Sequence, residues 1–449
     1  MPVPPELATA CADTAEAGPA DVIGGRQARY VAAPASTDEA SALLRAAARL
    51  GLTVVPRGAG GLQHWGNPPD SCDLIVDTRR LDRIIEHRRG DFTVTVQAGV
   101  RLPALEEMLE AADQTLPLIA PSRAQAGTIG GVIATNAVGL LRHRYGTPRD
   151  RITSITAVRA DGTIVRSTDV ADAAAGRDLA ALFAGSYGTL GLITEATFRV
   201  HPLPRGCAGV RINCADPDDA ARMVGIVAAD SWLAPSGISL SWPSADSSVQ
   251  VFVMVDHDTQ DYQERVDQLW RLAGQTPPPP IDQAQAIHLD APDHGGLPPA
   301  VAQRLLAQQE RIEAERLNPP ADTGTLVRAS FPPPQLAQAL TAVQGAAAAS
   351  GLTIVIDGSP TAGVLDVKVP AEAAAAVVSQ FVVTLRTGLD RLAGPAPGAA
   401  RTVVVYAPEQ VREVTDMLGP VPSLAALQSV KDEFDPEHRM APGRLAEAA

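Results

Sequence analysis

The sequence predicts an α+β protein built in two parts, and three observations carry that prediction. Its 449 residues are about three times the usual domain size. Between residues 26 and 205, short β-branched runs alternate with capped, alanine-rich helical stretches around clusters of glycine. Beyond Pro204 the pattern becomes strand, helix, strand, strand, helix, and that order occurs twice.

In the first part, Ser36 offers a hydroxyl N-cap, Asp38 and Glu39 place acids in a first turn, and Gly51 ends an alanine-rich helix. Residues 52–55, 73–77 and 93–97 read as strands, and residues 102–112 as a helix with Pro103 in its first turn. Residues 152–159 and 163–167 flank Asp161-Gly162, a dipeptide that supplies the positive φ of a tight hairpin. Residues 190–200 form a further strand, closed by His201-Pro202-Leu203-Pro204. This gives an arm at 1–25 and an α+β unit at 26–205.

The second part, residues 206–430, has strands at 209–213, 237–241 and 249–255 with helices at 216–229 and 262–272. Residues 325–330, 334–349, 353–356, 364–369 and 371–385 repeat that element order without repeating residues. A duplicated ferredoxin-like α/β plait is expected. Between the halves lies a Pro-rich insertion, 276–299, which reads as a surface linker or as a lid. Residues 431–449 form a C-terminal segment.

A formal charge of −14 argues against nucleic acid or an anionic membrane surface as partner. A small anionic substrate would need a local basic pocket. Cys11, Cys72, Cys207 and Cys214 show no C-x-x-C spacing, which argues against an iron–sulfur cluster or a structural zinc in this chain, and no metal is expected. The start has no basic and apolar leader pattern, and no apolar run approaches the roughly eighteen residues of a membrane span. A cytoplasmic protein without an integral membrane segment is expected.

Three segments carry the chemistry. In Pro56-Arg57-Gly58-Ala59-Gly60-Gly61, glycines after a buried strand let successive N–H groups turn toward an anion such as a diphosphate. The loop is not a dinucleotide fingerprint of the G-x-G-x-x-G kind, because Gln63 holds the last glycine position and His64-Trp65-Gly66-Asn67-Pro68-Pro69 cannot open a helix. Taken alone, a tight turn explains it as well. The second segment pairs Pro121-Ser122 with Gly127-Thr128-Ile129-Gly130-Gly131-Val132-Ile133-Ala134-Thr135-Asn136 and Gly139. Its small residues let backbone lie against a flat ring, and Thr and Asn can meet the ring's polar edge. Arg142, Arg144, Arg149 and Arg151 follow, either as a basic patch or as a solvated loop. The third segment, Gly185-Ser186-Tyr187-Gly188-Thr189-Leu190-Gly191-Leu192-Ile193-Thr194-Glu195, spaces its glycines where chain and ligand can approach at the start of a strand.

The order of P-R-G-A-G-G, T-I-G-G-V-I-A-T-N, R-Y-G-T-P-R-D and G-S-Y-G-T-L-G-L-I-T-E, closing on H-P-L-P, resembles the vanillyl-alcohol oxidase/PCMH-type family of FAD-binding oxidoreductases. Within that family it is most like the FAD-binding subunits of glycolate oxidases. The resemblance covers about residues 31–205, and Phe434-Asp435-Pro436 through Ala441-Pro442-Gly443-Arg444 looks like the family's C-terminal return to the flavin domain. It implies a PCMH-type FAD-binding domain of two α+β subdomains plus a cap. Pro56, Arg57, Gly58, Ala59, Gly60 and Gly61 would then hold the FAD pyrophosphate. Thr128, Gly130, Gly131, Ala134, Thr135 and Asn136 would line it and the flavin, while Gly188, Gly191 and Ile193 would meet the adenosine side. Pro121, Gly139, Tyr145, Gly146, Arg149 and Asp150 complete the implied cofactor set. Relatives that attach FAD covalently carry His directly after the paired glycines; Leu62 stands there here, so non-covalent FAD is expected.

The resemblance further implies oxidation of glycolate or a related small 2-hydroxy acid, with a second flavin subunit and an iron–sulfur subunit as candidate partners. Two departures point to an alternative, an accessory flavin subunit without its own substrate site. Where family subunits read K-N-V-A-G-Y-D-L, this chain has Asp172-Ala173-Ala174-Ala175-Gly176-Arg177-Asp178-Leu179. The metal-binding G-D-G-N-x-H run of active 2-hydroxy acid dehydrogenases is absent, and His257, His288 and His294 stand apart. Such chemistry needs a cation for the substrate carboxylate and a base for its hydroxyl proton. Arg328, in a segment similar to W-R-x-S of the glycolate oxidase subunits, is the candidate cation, although an ordinary strand arginine reads the same way. His143 and Tyr145 are the candidate bases.

Overall fold

The structure is a computed structural model that describes residues 2–118, 127–137, 139–167, 178–204, 207–256, 262–272, 274, 286–287, 324–392, 400–421 and 423–444. The chain divides into two compact units, one of Met1–Val138, Gly146–Leu203 and Ser423–Ala449, the other of Gly139–Tyr145 and Pro204–Pro422. The insertion at 276–299, apart from the short strand Ala286–Ile287, and the stretch 172–177 lie outside the described residues.

The first unit contains two α+β subdomains, as the family resemblance implies. Its first sheet runs Thr14–Glu16, Tyr30–Ala32, Leu74–Asp77, Val54–Arg57, and the last three strands are parallel. Helix Thr37–Arg49 starts where the Ser36 hydroxyl accepts the Glu39 N–H at 3.1 Å, and it buries Leu43 and Leu44 with Leu74 and Val76 of the sheet. The strand expected to stop before Pro56 continues through it to Arg57. It lies last in the sheet order, where a residue lacking an N–H is tolerated.

The second sheet of this unit is antiparallel in the order Ile164–Arg166, Ile152–Val158, Leu192–Arg199, Thr93–Gln97, Ile84–Arg88. Gly162, at φ +84°, turns its hairpin. Val94, Val96, Ile155 and Phe198 pack there with Leu105 and Leu109 of helix Leu102–Glu110. The C-terminal helix Leu424–Phe434 closes onto this core, with Phe434 set edge-on to Phe183 at 5.7 Å. The chain then docks on the first sheet: Val54 donates to the Arg439 carbonyl and Ala441 donates back to that of Val54, both at 2.8 Å. The return thus begins at Ser423, within the span that the sequence assigns to the cap.

The second unit is one eight-stranded sheet ordered Ala286–Ile287, Cys207–Cys214, Val249–Asp256, Gly237–Trp242, Val355–Ser359, Val364–Val369, Thr325–Ser330, Arg401–Tyr406. In chain order each half reads 4-1-3-2, the ferredoxin-like plait, and the two plaits join through their second strands, Gly237–Trp242 and Val355–Ser359. The fourth strand of each half is not apparent in the sequence pattern. Helices Pro217–Ala229, Leu336–Ser350 and Ala375–Asp390 bury Met223, Val343 and Phe381 against Val251, Val253, Val327 and Val367. By strand alternation, Arg328, Asp366 and Asp357 share the opposite face. Among the described residues no helix is long and apolar enough to cross a membrane.

Candidate functional site

An open cleft in the first unit, with about 810 Å³ of empty space, gathers the three glycine-rich segments. Pro56 through Gln63 form one wall, Gly127 through Thr135 the second, and Tyr187 through Ile193 the third, with Thr78 and Arg444 completing it.

The first wall is held by side chains behind it. Arg57 donates to Asp21 at 2.8 Å and to Asp77 at 3.3 Å, while Arg79 grips the same Asp77 carboxylate at 2.7 Å. Burial alone would raise the Asp77 pKa, but the hydrogen bonds and charge of Arg79, followed by the charge of Arg57, hold it below its usual value. Gln63 ties the loop back by donating to the Pro56 carbonyl at 2.8 Å. A Cβ on Gly58 would run into the Thr128 hydroxyl, so glycine is required for the two walls to meet. Gly60 sits at φ +81° with nothing within 4 Å of where its Cβ would point. Its main chain therefore faces open space, the arrangement a diphosphate cradle needs.

In the second wall, Thr128 caps helix Ile129–Thr135 by accepting the Gly131 N–H at 3.4 Å. Gly130 donates to the Ala98 carbonyl at 2.7 Å and seats the helix on the sheet. The helix ends at Asn136, φ +47°, whose side-chain oxygen accepts the Arg149 N–H at 3.4 Å. The third wall is stitched to that end: Gly185 donates to the Ile133 carbonyl and Tyr187, at φ +54°, donates to that of Ala134. Lys431 of the return helix donates to the Thr189 carbonyl at 2.8 Å from below.

Of the expected cofactor residues, Pro56, Arg57, Gly58, Ala59, Gly60, Gly61, Thr128, Gly130, Gly131, Ala134, Thr135, Gly188, Gly191 and Ile193 share this cleft. Pro121 lies outside the described residues. Asn136, Gly146, Arg149 and Asp150 do not line it. Asp150 instead accepts the Thr147 N–H at 2.7 Å as a helix cap, and Arg149 lies 3.8 Å from Asp178. Gly139 and Tyr145 group with the second unit, because Leu140 packs at Gly237 and the Tyr145 hydroxyl donates to Asp256 at 3.1 Å.

Sequence reasoning overlooked Thr78, Tyr187 and Arg444. Arg444 stands at the end of A-P-G-R, the sequence signal that marks it. Leu62, where covalent relatives carry His, lines the cleft. His64 is half-buried, and desolvation and then the charge of Arg444 push its pKa down, so the ring is neutral at pH 7.

In the second unit, Arg328 forks onto Asp366, Nε to Oδ1 at 2.7 Å and Nη2 to Oδ2 at 3.2 Å, and the Asp366 side chain is fully buried. His143 Nδ1 lies 3.1 Å from the Thr361 hydroxyl, and burial pushes its pKa down. Asp256 also takes Arg144 at 3.3 Å. Among the described residues no group of three or more His, Cys, Asp and Glu could hold a metal ion.

Residues 28–168 match the family model described as an FAD binding domain. The chain is similar to glycolate oxidase subunit GlcD of Bacillus subtilis, 36% identical over 175 residues that cover 39% of this chain and 37% of that protein. It is also similar to a probable mitochondrial D-lactate dehydrogenase of Danio rerio, 33% identical over 38% of this chain and 35% of that protein. A D-lactate dehydrogenase of Anaerostipes hadrus is 29% identical over 42% and 40%. The matched stretch thus covers well under half of each of these relatives. Among solved structures, an alkyldihydroxyacetonephosphate synthase matches with TM-score 0.64 at 15% identity, covering 94% of this chain and 77% of that one. Cleft, motif order and fold agree: residues 28–168 match the FAD binding domain model, and the chain shares its fold with the alkyldihydroxyacetonephosphate synthase.

Proposed function

We propose that the chain is an FAD-dependent oxidoreductase of a small 2-hydroxy acid such as glycolate or D-lactate, holding FAD without a covalent bond. One observation carries the reading: the three walls, far apart in sequence, close one glycine-lined cleft in a domain of the FAD-binding family. When bound, FAD supplies the acceptor for a hydride from the hydroxyl-bearing carbon. The open main chain at Gly60 and the Gly58–Thr128 approach suit the cofactor's diphosphate. Leu62 offers no nucleophile for attachment.

The substrate's hydroxyl proton needs a base and its carboxylate a cation. His143, neutral because it is half-buried, is available as the base. Arg328 is the candidate cation, and a substrate carboxylate there must share or displace the Asp366 fork. That fork favours a second reading, an accessory flavin subunit within a larger assembly, with a second flavin subunit and an iron–sulfur subunit as the partners in question. An FAD-loaded chain without its own substrate site fits an arginine already neutralised by a buried carboxylate.

Anaerobic addition of glycolate or D-lactate to the purified yellow chain separates the readings. Bleaching of the flavin band without any partner supports the enzyme and removes the accessory reading. A flavin that dithionite reduces but neither acid bleaches overturns the enzyme reading. In a bleaching enzyme, Arg328→Ala should raise KM for the acid at least about 10-fold, the scale of a lost charged hydrogen bond; unchanged KM removes Arg328 from the site.

A further inference from the structure

Among the described residues, two arginines line the cleft, and their charges are met differently. Arg57 is satisfied by protein carboxylates, Asp21 at 2.8 Å and Asp77 at 3.3 Å. Arg444 is 6% exposed, and among the described residues no carboxylate pairs with it. Its Nη2 donates to the Gln63 carbonyl, whereas its Nε, also buried, has no hydrogen-bond partner. Among the described residues, the titratable groups whose charge is coupled to it are Cys72, His64 and Tyr187. Cys72 is a thiol whose pKa burial pushes up to about 12, and burial pushes the His64 pKa down, so that ring is neutral at pH 7.

A guanidinium keeps its proton even when burial lowers its pKa, so this cation stays charged in a dry site. A buried, uncompensated charge is strongly disfavoured, and such sites persist where an anion completes them. The anion must also be permanent, because the cation is. Within FAD the diphosphate is always charged, while the flavin ring becomes anionic only on reduction.

Resting on the reading of this cleft as the FAD site, we propose that Arg444 is the counter-charge of the FAD diphosphate, delivered to the cleft by the C-terminal return. Gly58 through Gly61 supply main-chain donors and shape; Arg444 supplies the net positive charge that the Asp21–Arg57–Asp77 network does not. The return segment is therefore part of the cofactor site, not only a tie between two sheets.

The test is titration of the flavin-free full chain with FAD, followed by flavin fluorescence, with ADP as a competing probe that carries the diphosphate but no flavin. Arg444→Met should weaken FAD and ADP together by about 10- to 100-fold, the scale of charged hydrogen bonds, with the midpoint potential of the reloaded flavin unchanged. Arg444→Lys, which keeps the charge, should recover most of the loss. If the Met variant does not fold, Arg444→Gln, which can still donate to the Gln63 carbonyl, carries the same expectation. Equal affinities in wild type and variant overturn the proposal. So does a shifted midpoint potential with ADP binding intact, which would place the charge at the flavin ring. A wild-type chain that binds no FAD overturns the underlying reading of the cleft instead.

Discussion

Gly58 and Thr128 approach so closely that a single methyl group on Gly58 must displace the Thr128 hydroxyl from its capping position. Gly58→Ala should therefore cost about 1 kcal/mol, the worth of an N-cap, and should also weaken FAD binding because the two walls move apart. Urea unfolding and flavin titration on the same variant check both; loss of neither means the contact is not structural. Two carboxylates of the first unit predict an acid response. Asp77 and Asp73 both have folded-state pKa values below the ordinary carboxylate value: burial opposes this, but Arg79 for Asp77, and Thr53 and Arg29 for Asp73, outweigh it. A depressed carboxylate stabilises the fold above its unfolded pKa and loses that contribution as pH falls through the folded value. The stability difference between wild type and Asp77→Asn should thus be constant above about pH 4 and shrink below it. A difference that grows on acidification contradicts the assignment. Glycine clusters and motif order made the cleft residues legible in the sequence. Arg444 was not legible, because its role depends on which neighbours lack a counter-charge.

Among the elements, the C-terminal return has a consequence beyond its length. Lys431 donates at once to Asp435 at 2.5 Å, to the Thr189 carbonyl at 2.8 Å and to the Met440 carbonyl at 3.0 Å, all buried. One ammonium therefore joins the helix Leu424–Phe434, the third wall of the cleft and the strand-like tail. Lys431→Met leaves the buried Asp435 carboxylate without its cation and should cost about 3 kcal/mol, with FAD affinity falling because the 186–191 loop loses its anchor. Lys431→Met with Asp435→Asn should cost less than the sum of the two single changes, a coupling that a double-mutant cycle in urea reads directly. Additive costs would show that the two groups do not act as a pair. Elements with strong periodicity or caps were legible: Thr37–Arg49, Thr93–Gln97, Tyr262–Leu272 and Val364–Val369 fall where the sequence puts them, to within a residue. The strand Ile84–Arg88 was not, because four of its five residues are exposed and it shows no alternation.

For the molecule as a whole, the sequence pattern reads as one α+β unit and a duplicated plait, and the family resemblance adds the two subdomains and the return. The structure supplies what pattern cannot, the joining of two 4-1-3-2 sheets through their second strands. Strand order depends on pairings between residues more than a hundred positions apart, such as Leu240 with Gly358, and no local signal encodes them. Composition gave only a direction: a net charge of −14 means that an anionic cofactor must be met by local cations and main-chain donors. The central claim is that the cleft of the first unit, closed by the C-terminal return, holds FAD without a covalent bond. Acid precipitation of the purified full chain, with mass analysis of what is released, tests it most directly. Non-covalent binding predicts FAD in the supernatant at one per chain and a colourless pellet. A yellow pellet would contradict non-covalent binding, and a chain that yields no flavin and takes up none from added FAD would contradict the site itself.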